Sequence, residues 1–354
     1  MSTFWQGRVV FMTGHTGFMG GWLATFLKSR GAHVHGYALP PPSNPSFFET
    51  TGLAGQLTSS MIGDVRDPDR LRDAICDARP SVVFHLAAQP LVRRAYAEPL
   101  ETVSTNVMGT ANLLEAARHA EGIEAIVVVT TDKVYRNLNR HEPYTEGDEL
   151  GGREPYSASK AASEFIVDAW RHSYLDVGEK GVATVRAGNI FGGGDWAADR
   201  LVPDAVRTFM AGDPLILRHP NSTRPWQHVL DPLYGYLNLA ERLVSDRQAY
   251  SEGWNFGPVT SDCRPVRELA QLLVQNWGDG ASFVVEGDDR IFEERFLSLD
   301  CRKAMERLEW TPRWPLETGI KKAIEWYRAF AQGADTWKFT LEQIEQHECQ
   351  GARA

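Results

Sequence analysis

Tyr156 and Lys160 stand four residues apart in Pro155-Tyr156-Ser157-Ala158-Ser159-Lys160. That spacing is one turn on one face of a helix, and the proline suits its first position. A phenol has an ordinary pKa of about 10, too high for a base at neutral pH. An ammonium about 4 Å away, at an effective dielectric near 20, favours the phenolate by roughly 4 kcal/mol at the upper end, about three pKa units. The pair is therefore a candidate proton shuttle for an alcohol carbon that gives up hydride. A second group, Thr131-Asp132-Lys133, closes an apolar run. Strand ends are where an open sheet presents reacting groups, although on their own Asp132 and Lys133 suit a solvated pair equally well.

A hydride needs an acceptor, and Thr13-Gly14-His15-Thr16-Gly17-Phe18-Met19-Gly20 follows the first apolar run and opens a helical pattern. Glycine lets the backbone turn tightly and approach a pyrophosphate, while the helix start offers free N–H groups and a positive dipole end. A dinucleotide site is expected there. The second run ends Gly36-Tyr37-Ala38-Leu39-Pro40, with neither an acid for ribose hydroxyls nor an arginine for a 2′-phosphate. NAD is favoured over NADP, with one ribose anchor missing and looser binding expected. Asp64, in Gly63-Asp64-Val65, suits either the adenine amine or a turn or N-cap.

These groups need a scaffold. Apolar runs at Arg8–Thr13, His33–Leu39, Ser81–Ala87, Ala125–Thr131 and Val182–Ala187 alternate with helical stretches at about 18–30, 68–77, 99–119 and 157–175. Such alternation predicts an α/β fold, a doubly wound parallel sheet of the Rossmann type, with strands buried on both faces. From 188 the pattern gives way to a loop-rich region dense in Trp, Pro and Arg. The expected division is 1–187 as a dinucleotide-binding unit, completed by 225–258. Segments 188–224 and 259–335 form a smaller substrate lobe, and 336–354 a polar tail, helical with a frayed end.

The 354 residues suffice for two lobes sharing a large core. A net charge of -9 argues against a nucleic-acid footprint, and no stretch reaches the roughly 18 apolar residues of a membrane span. Cys76, Cys263, Cys301 and Cys349 form no CxxC pair, which fits reduced thiols in a cytosol and gives no metal site. The opening residues run straight into a strand pattern, leaving no room for a signal peptide, so a cytoplasmic location is expected.

Taken together, Thr13–Gly20, Asp64, His85-Leu86-Ala87-Ala88, Asn106-Val107-Met108-Gly109-Thr110, Thr130–Tyr135 and Tyr156–Lys160 resemble the extended short-chain dehydrogenase/reductases over roughly residues 5 to 330. The resemblance implies NAD held by Gly14, His15, Thr16, Gly17, Phe18, Met19, Gly20, Asp64, Val65, Leu86, Ala87, Ala88, Asn106, Tyr156 and Lys160. It also implies Thr131 on the reacting oxygen, Tyr156 as acid/base, and Asn106 steadying the active-site helix. The Thr131-Asp132-Lys133 triplet resembles the nucleotide-sugar 4,6-dehydratases of that family. Arg186–Asn189, Gly192–Arg200 and Arg224–Val229 resemble the branch that takes CDP-glucose. By that resemblance Gln89, Asn189, Arg200 and Arg224 face the substrate, the arginines because a planar fork suits phosphate oxygens. The implied reaction oxidises C4, eliminates water across C5 and C6 with Lys133 as base and Asp132 as acid, and returns hydride to C6. A UDP-sugar 4-epimerase would need no C5 base, and a non-enzymatic sensor would need no Tyr156–Lys160 pair. The family also implies a homodimer, with a tetramer left open, through helices 99–119 and 157–175, where Val103, Val107, Leu114, Phe165, Trp170 and Tyr174 exceed one apolar face.

Overall fold

The computed structural model describes residues 3–176, 179–278, 280–286 and 296–351. Of the expected lobe and tail, 279, 287–295 and 352–354 lie outside them. Six strands, β1 (Val9–Thr13), β2 (His33–Ala38), β3 (Ser59–Ile62), β4 (Val82–His85), β5 (Ala125–Val129) and β6 (Gly181–Arg186), join Gly253–Asn255 in one sheet. The order is Gly253–Asn255, β6, β5, β4, β1, β2, β3, and every neighbouring pair is parallel. The fold is α/β and doubly wound.

Successive side chains of a strand point to opposite faces, so each apolar run supplies two cores. Val10 and Met12 of β1 face a cluster with Trp22 and Phe26 of the helix Phe18–Ser29 and Leu233 and Leu237 of Leu230–Ser245. Phe11 faces the other, with Leu71 and Ile75 of Pro68–Ala78, Leu113 and Leu114 of Gly109–His119, and Val167 of Pro155–Trp170. Leu114 is therefore core and not part of an outward apolar face. β3 had no counterpart in the sequence pattern, because as an edge strand it leaves Ser59, Met61 and Ile62 exposed.

Residues 99–119 form one helical run with a single wide turn at Ser104–Met108. Beyond β6, short strand pairs (Ile190–Phe191 with Gln227–His228, Thr223–Pro225 with Cys263–Pro265) tie the later segments together. The expected helical tail is packed rather than loose: Thr336–Gly351 is a helix with a buried stripe. Its buried Thr336, Thr340, Gln343, Ile344 and His347 fall at helical spacing, but four of the five are polar, which hides the stripe from a hydropathy reading. Arg30–Glu348 at 2.7 Å and His347–Asp231 at 2.9 Å hold it to the body. Among the described residues no helix is long and apolar enough to cross a membrane.

Candidate active site

β1 and β4 are neighbours whose chain connections leave in opposite directions, the point where an open sheet forms a crevice. The glycine loop sits there. Gly14 has φ +82, and a Cβ on it would lie 2.7 Å from the Ala87 nitrogen. A Cβ on Gly20 would lie 2.1 Å from the Gly14 oxygen, so helix and loop close on each other only through glycine. Gly17 caps the helix Phe18–Ser29 with no side-chain hydrogen bond, leaving its first N–H groups for a ligand. Thr16 Oγ1 ties the loop to the Leu39 carbonyl at 2.8 Å, and the Leu86 and Ala87 nitrogens donate to Thr13 oxygens at 3.2 Å.

The missing acid on β2 has a structural counterpart. Gly36 makes room for the His15 ring, which a Cβ there would approach to 2.4 Å. The ring bonds Ser60 Oγ at 2.8 Å, and burial lowers its pKa to about 4. Asp64 takes the turn role: its carboxylate receives the Arg66 backbone and guanidinium N–H groups at 2.5–3.0 Å. Beside it the buried Val65 packs under Gly109.

A cavity of about 410 Å³ opens between the C-terminal strand ends and the later segments. Phe18, Met19, Leu86 and Ala88 line its cofactor-loop end; Thr131, Asp132, Lys133, Tyr156 and Lys160 its centre; Asn189, Arg200 and Arg224 its far wall. Gln89 is not on that wall. Its amide is spent on Thr102 Oγ1 at 2.8 Å, the Leu91 carbonyl at 3.1 Å and the Leu91 nitrogen at 2.7 Å, a loop staple in place of the expected substrate contact. Asn106 lies in the wide turn and joins two elements: it receives the Gln89 nitrogen at 2.8 Å and donates to Ser159 Oγ at 2.8 Å.

Pro155 and the Glu154–Ser157 capping box start the helix that carries Tyr156. Its Glu164 anchors the sheet, pairing with Arg186 at 2.8 Å and receiving Thr130 Oγ1 at 2.6 Å. Lys160 Nζ donates to the Val129 carbonyl at 3.0 Å, and desolvation lowers its pKa to about 8. Tyr156 differs from the sequence expectation. Burial raises its pKa to about 12, opposed first by the Thr131 hydroxyl, with Asp132, Arg200 and Glu154 also acting on it. Lys160, itself stripped of water and held by a carbonyl, is not the leading influence on the phenol. Thr131 Oγ1 donates to Asp132 Oδ1 at 3.0 Å, and burial pushes the Asp132 carboxyl upward against the pull of Lys133 and Arg224.

The model of the family described as GDP-mannose 4,6 dehydratase matches residues 11–323. The chain belongs to that family. Like the other family members it is an extended short-chain dehydrogenase/reductase. A CDP-glucose 4,6-dehydratase of Salmonella typhimurium is 47% identical over 337 residues, 94% of each chain. A dTDP-glucose 4,6-dehydratase of Xanthomonas campestris pv. campestris is 28% identical over 354 residues, 94% of this chain and 97% of the relative. Among solved structures, MoeE5 in complex with UDP-glucuronic acid and NAD superposes with a TM-score of 0.76 at 27% identity, over 92% of this chain and all of that one.

On this family fold the cavity also holds residues the sequence reading gave no role. Arg200 pairs with the buried Asp195 at 2.9 Å, and Asp199 pairs with Arg218 at 2.9 Å and Arg93 at 3.5 Å. Asp195 and Asp199 lie in the glycine-rich segment that drew attention, so only their pairing was hidden. Tyr236 reaches the cavity from the helix Leu230–Ser245, where it reads as one more core aromatic.

Proposed function

We propose that this chain is an NAD-dependent nucleotide-sugar 4,6-dehydratase that converts CDP-glucose to CDP-4-keto-6-deoxyglucose and water. One observation carries the reading: a buried carboxyl, Asp132, pushed toward its neutral form, stands between Thr131 and Lys133 in the cavity that also holds Tyr156 and Lys160. The 47% identity to a CDP-glucose 4,6-dehydratase supports the nucleotide.

The cradle at Gly14, Gly17 and Gly20 fits a dinucleotide pyrophosphate, with Thr16, Phe18 and Met19 beside it and Leu86, Ala87 and Ala88 across the crevice. Asp64 and Val65 stand at the adenine end, and Lys160 and Asn106 serve the nicotinamide end. A bound nicotinamide supplies reversible storage of one hydride, taken from C4 and given back at C6. Everything else falls to side chains. Tyr156 is the base that takes the 4-hydroxyl proton while Thr131 holds the same oxygen. The 4-ketone acidifies the C5 hydrogen, which Lys133 removes as base. Asp132 gives its proton to the departing 6-hydroxyl, so water leaves. Arg200 and Arg224 face the diphosphate and Asn189 the sugar.

Residues 1–187 with 225–258 serve as the cofactor unit, and 188–224 with 259–335 as the substrate lobe. The protein works in the cytoplasm as a homodimer, feeding 6-deoxy or dideoxy sugars to a surface polysaccharide such as O-antigen. The exposed Val103, Met108, Phe165 and Tyr174 support the pairing face. Incubation with NAD and each of CDP-, dTDP-, UDP- and GDP-glucose, followed by the alkaline absorbance of a 4-keto sugar, tests the reading. CDP-glucose should be turned over far faster than the others. Equal or better turnover of dTDP-glucose would remove the CDP assignment.

A further inference from the structure

CDP-glucose and UDP-glucose differ only along one edge of the pyrimidine, so a choice between them falls to groups that meet that edge. Cytosine presents an amine at N4 and acceptors at N3 and O2. Uracil keeps O2 but has an acceptor at O4 and a donor at N3.

The far wall of the cavity offers a place for such a ring. Val202, Pro203, Leu217, Trp226 and Val266 line it beside Arg200 and Arg224, apolar surface that suits a flat heterocycle. Arg224 acts electrostatically on the Asp132 carboxyl and Arg200 on the Tyr156 phenol, so both belong to the reacting end. Arg218 and Asp199 act instead on Asp204, and both are partly exposed, toward the mouth. A nucleotide sugar laid with its hexose at Tyr156 therefore spends its diphosphate on the first two arginines and brings its base to the second pair.

That pair is already joined. The Arg218 guanidinium donates to Asp199 Oδ1 at 2.9 Å, and Arg93, on the helix Val92–Ala97, approaches the same oxygen at 3.5 Å. Both contacts fall on Oδ1, and Oδ2 receives no hydrogen bond among the described residues. Along the pair the order is acceptor, donor, donor: a carboxylate oxygen, then guanidinium N–H groups. This is the complement of N4–H, N3 and O2 of cytosine, the same order that guanine supplies in a base pair. Uracil or thymine would set O4 against the carboxylate and N3–H against a guanidinium N–H, two repulsive contacts where cytosine makes bonds.

We propose that Asp199 and Arg218 read the cytosine edge of the substrate, Asp199 accepting from the N4 amine and Arg218 donating to N3 and O2. The inference rests on the CDP-glucose reading of the site and names the residues that make the choice.

Calorimetric binding of CDP and of UDP to the protein saturated with NAD isolates the base, because the two share the diphosphate. Asp199→Asn keeps the size of the side chain, and its amide serves either edge. The preference for CDP over UDP should then fall by roughly tenfold or more. Arg218→Lys keeps the positive charge and loses the fork, so CDP should weaken about tenfold while UDP changes little. Values of kcat/KM on CDP-glucose and UDP-glucose should follow the same ratios, the change residing in KM. Equal weakening of CDP and UDP in either variant would make the pair a diphosphate contact or a clasp between segments and overturn the proposal. If the parent protein prefers CDP and both variants keep that preference, the role of this pair alone falls. If the parent protein binds UDP as well as CDP, the nucleotide assignment falls and takes this role with it.

Discussion

The two ends of the cavity are built on opposite principles. At the glycine loop, function rests on what is absent: no Cβ on Gly14 or Gly20, no side chain on Gly36, no acid at Ala38. Backbone lies against backbone there, and the two buried imidazoles beside it, His15 and His85, are kept neutral inside the packing. At the triplet and the helix beside it, function rests on groups whose proton affinity burial shifts: Asp132 pushed up, Tyr156 raised to about 12, Lys160 lowered to about 8. The difference shows how one fold can bind by shape at one end of a crevice and tune proton affinity at the other.

The sharpest way to break the comparison is at the triplet. Asp132→Asn and Lys133→Ala should each slow dehydration of CDP-glucose by about 10²–10⁴-fold, the usual range for a lost general acid or base. Asp132→Asn should accumulate NADH with an enzyme-bound 4-keto sugar, and it alone should recover on the 6-fluoro substrate. Equal recovery of both variants would show that Lys133 is not the C5 base.

The glycine-loop end should instead reveal itself through stability. His15 falls from 6.5 to about 4 in the fold, worth about 3 kcal/mol at roughly 1.4 kcal/mol per unit. Its folded pKa is lowered, so the neutral ring's contribution is complete above pH 6.5 and lost as pH falls toward 4. Urea unfolding of the parent protein and of His15→Asn should therefore diverge less at pH 4.5 than at pH 7, probe values set by that window of about 4 to 6.5. A constant difference would place the histidine's role in packing alone.

How much of this was legible beforehand follows the same divide. Strands buried on both faces announced themselves as continuous apolar runs, and the parallel, doubly wound arrangement followed from their alternation with helices. β3 did not, because an edge strand buries too little to leave a pattern. Thr336–Gly351 was legible as a helix but not as a packed one, because its buried stripe is polar. Within the site, motif spacing pointed to Thr131, Asp132, Lys133, Tyr156 and Lys160, which the fold brings to one cavity. It misjudged Gln89, since an amide spent within its own loop is indistinguishable in sequence from one aimed at a ligand. Spacing likewise carries no information on desolvation, which the fold imposes on both Tyr156 and Lys160.

Two smaller effects sharpen the picture of the cofactor end. With one ribose anchor missing, NAD binding should be weaker by roughly 1.5–3 kcal/mol, at least about tenfold. The purified protein should lose NAD on gel filtration and regain activity when it is added. Stoichiometric NAD surviving that step, with no stimulation, would show that the His15–Gly36 packing replaces the anchor. Smallest of all, Asp64→Asn should change stability by less than about 1 kcal/mol, because the Asp64–Arg66 pair lies at the surface, partly exposed on both sides. A drop in NAD affinity beyond about tenfold in that variant would show that Asp64 reaches the adenine as well.

The central claim, that one hydride leaves C4 and returns at C6 of the same sugar, is tested by CDP-glucose carrying deuterium at C4. Turned over with NAD and followed by NMR, the label should appear at C6 of a 4-keto-6-deoxy product. Deuterium retained at C4 in a sugar of inverted configuration would contradict the account and make the protein an epimerase.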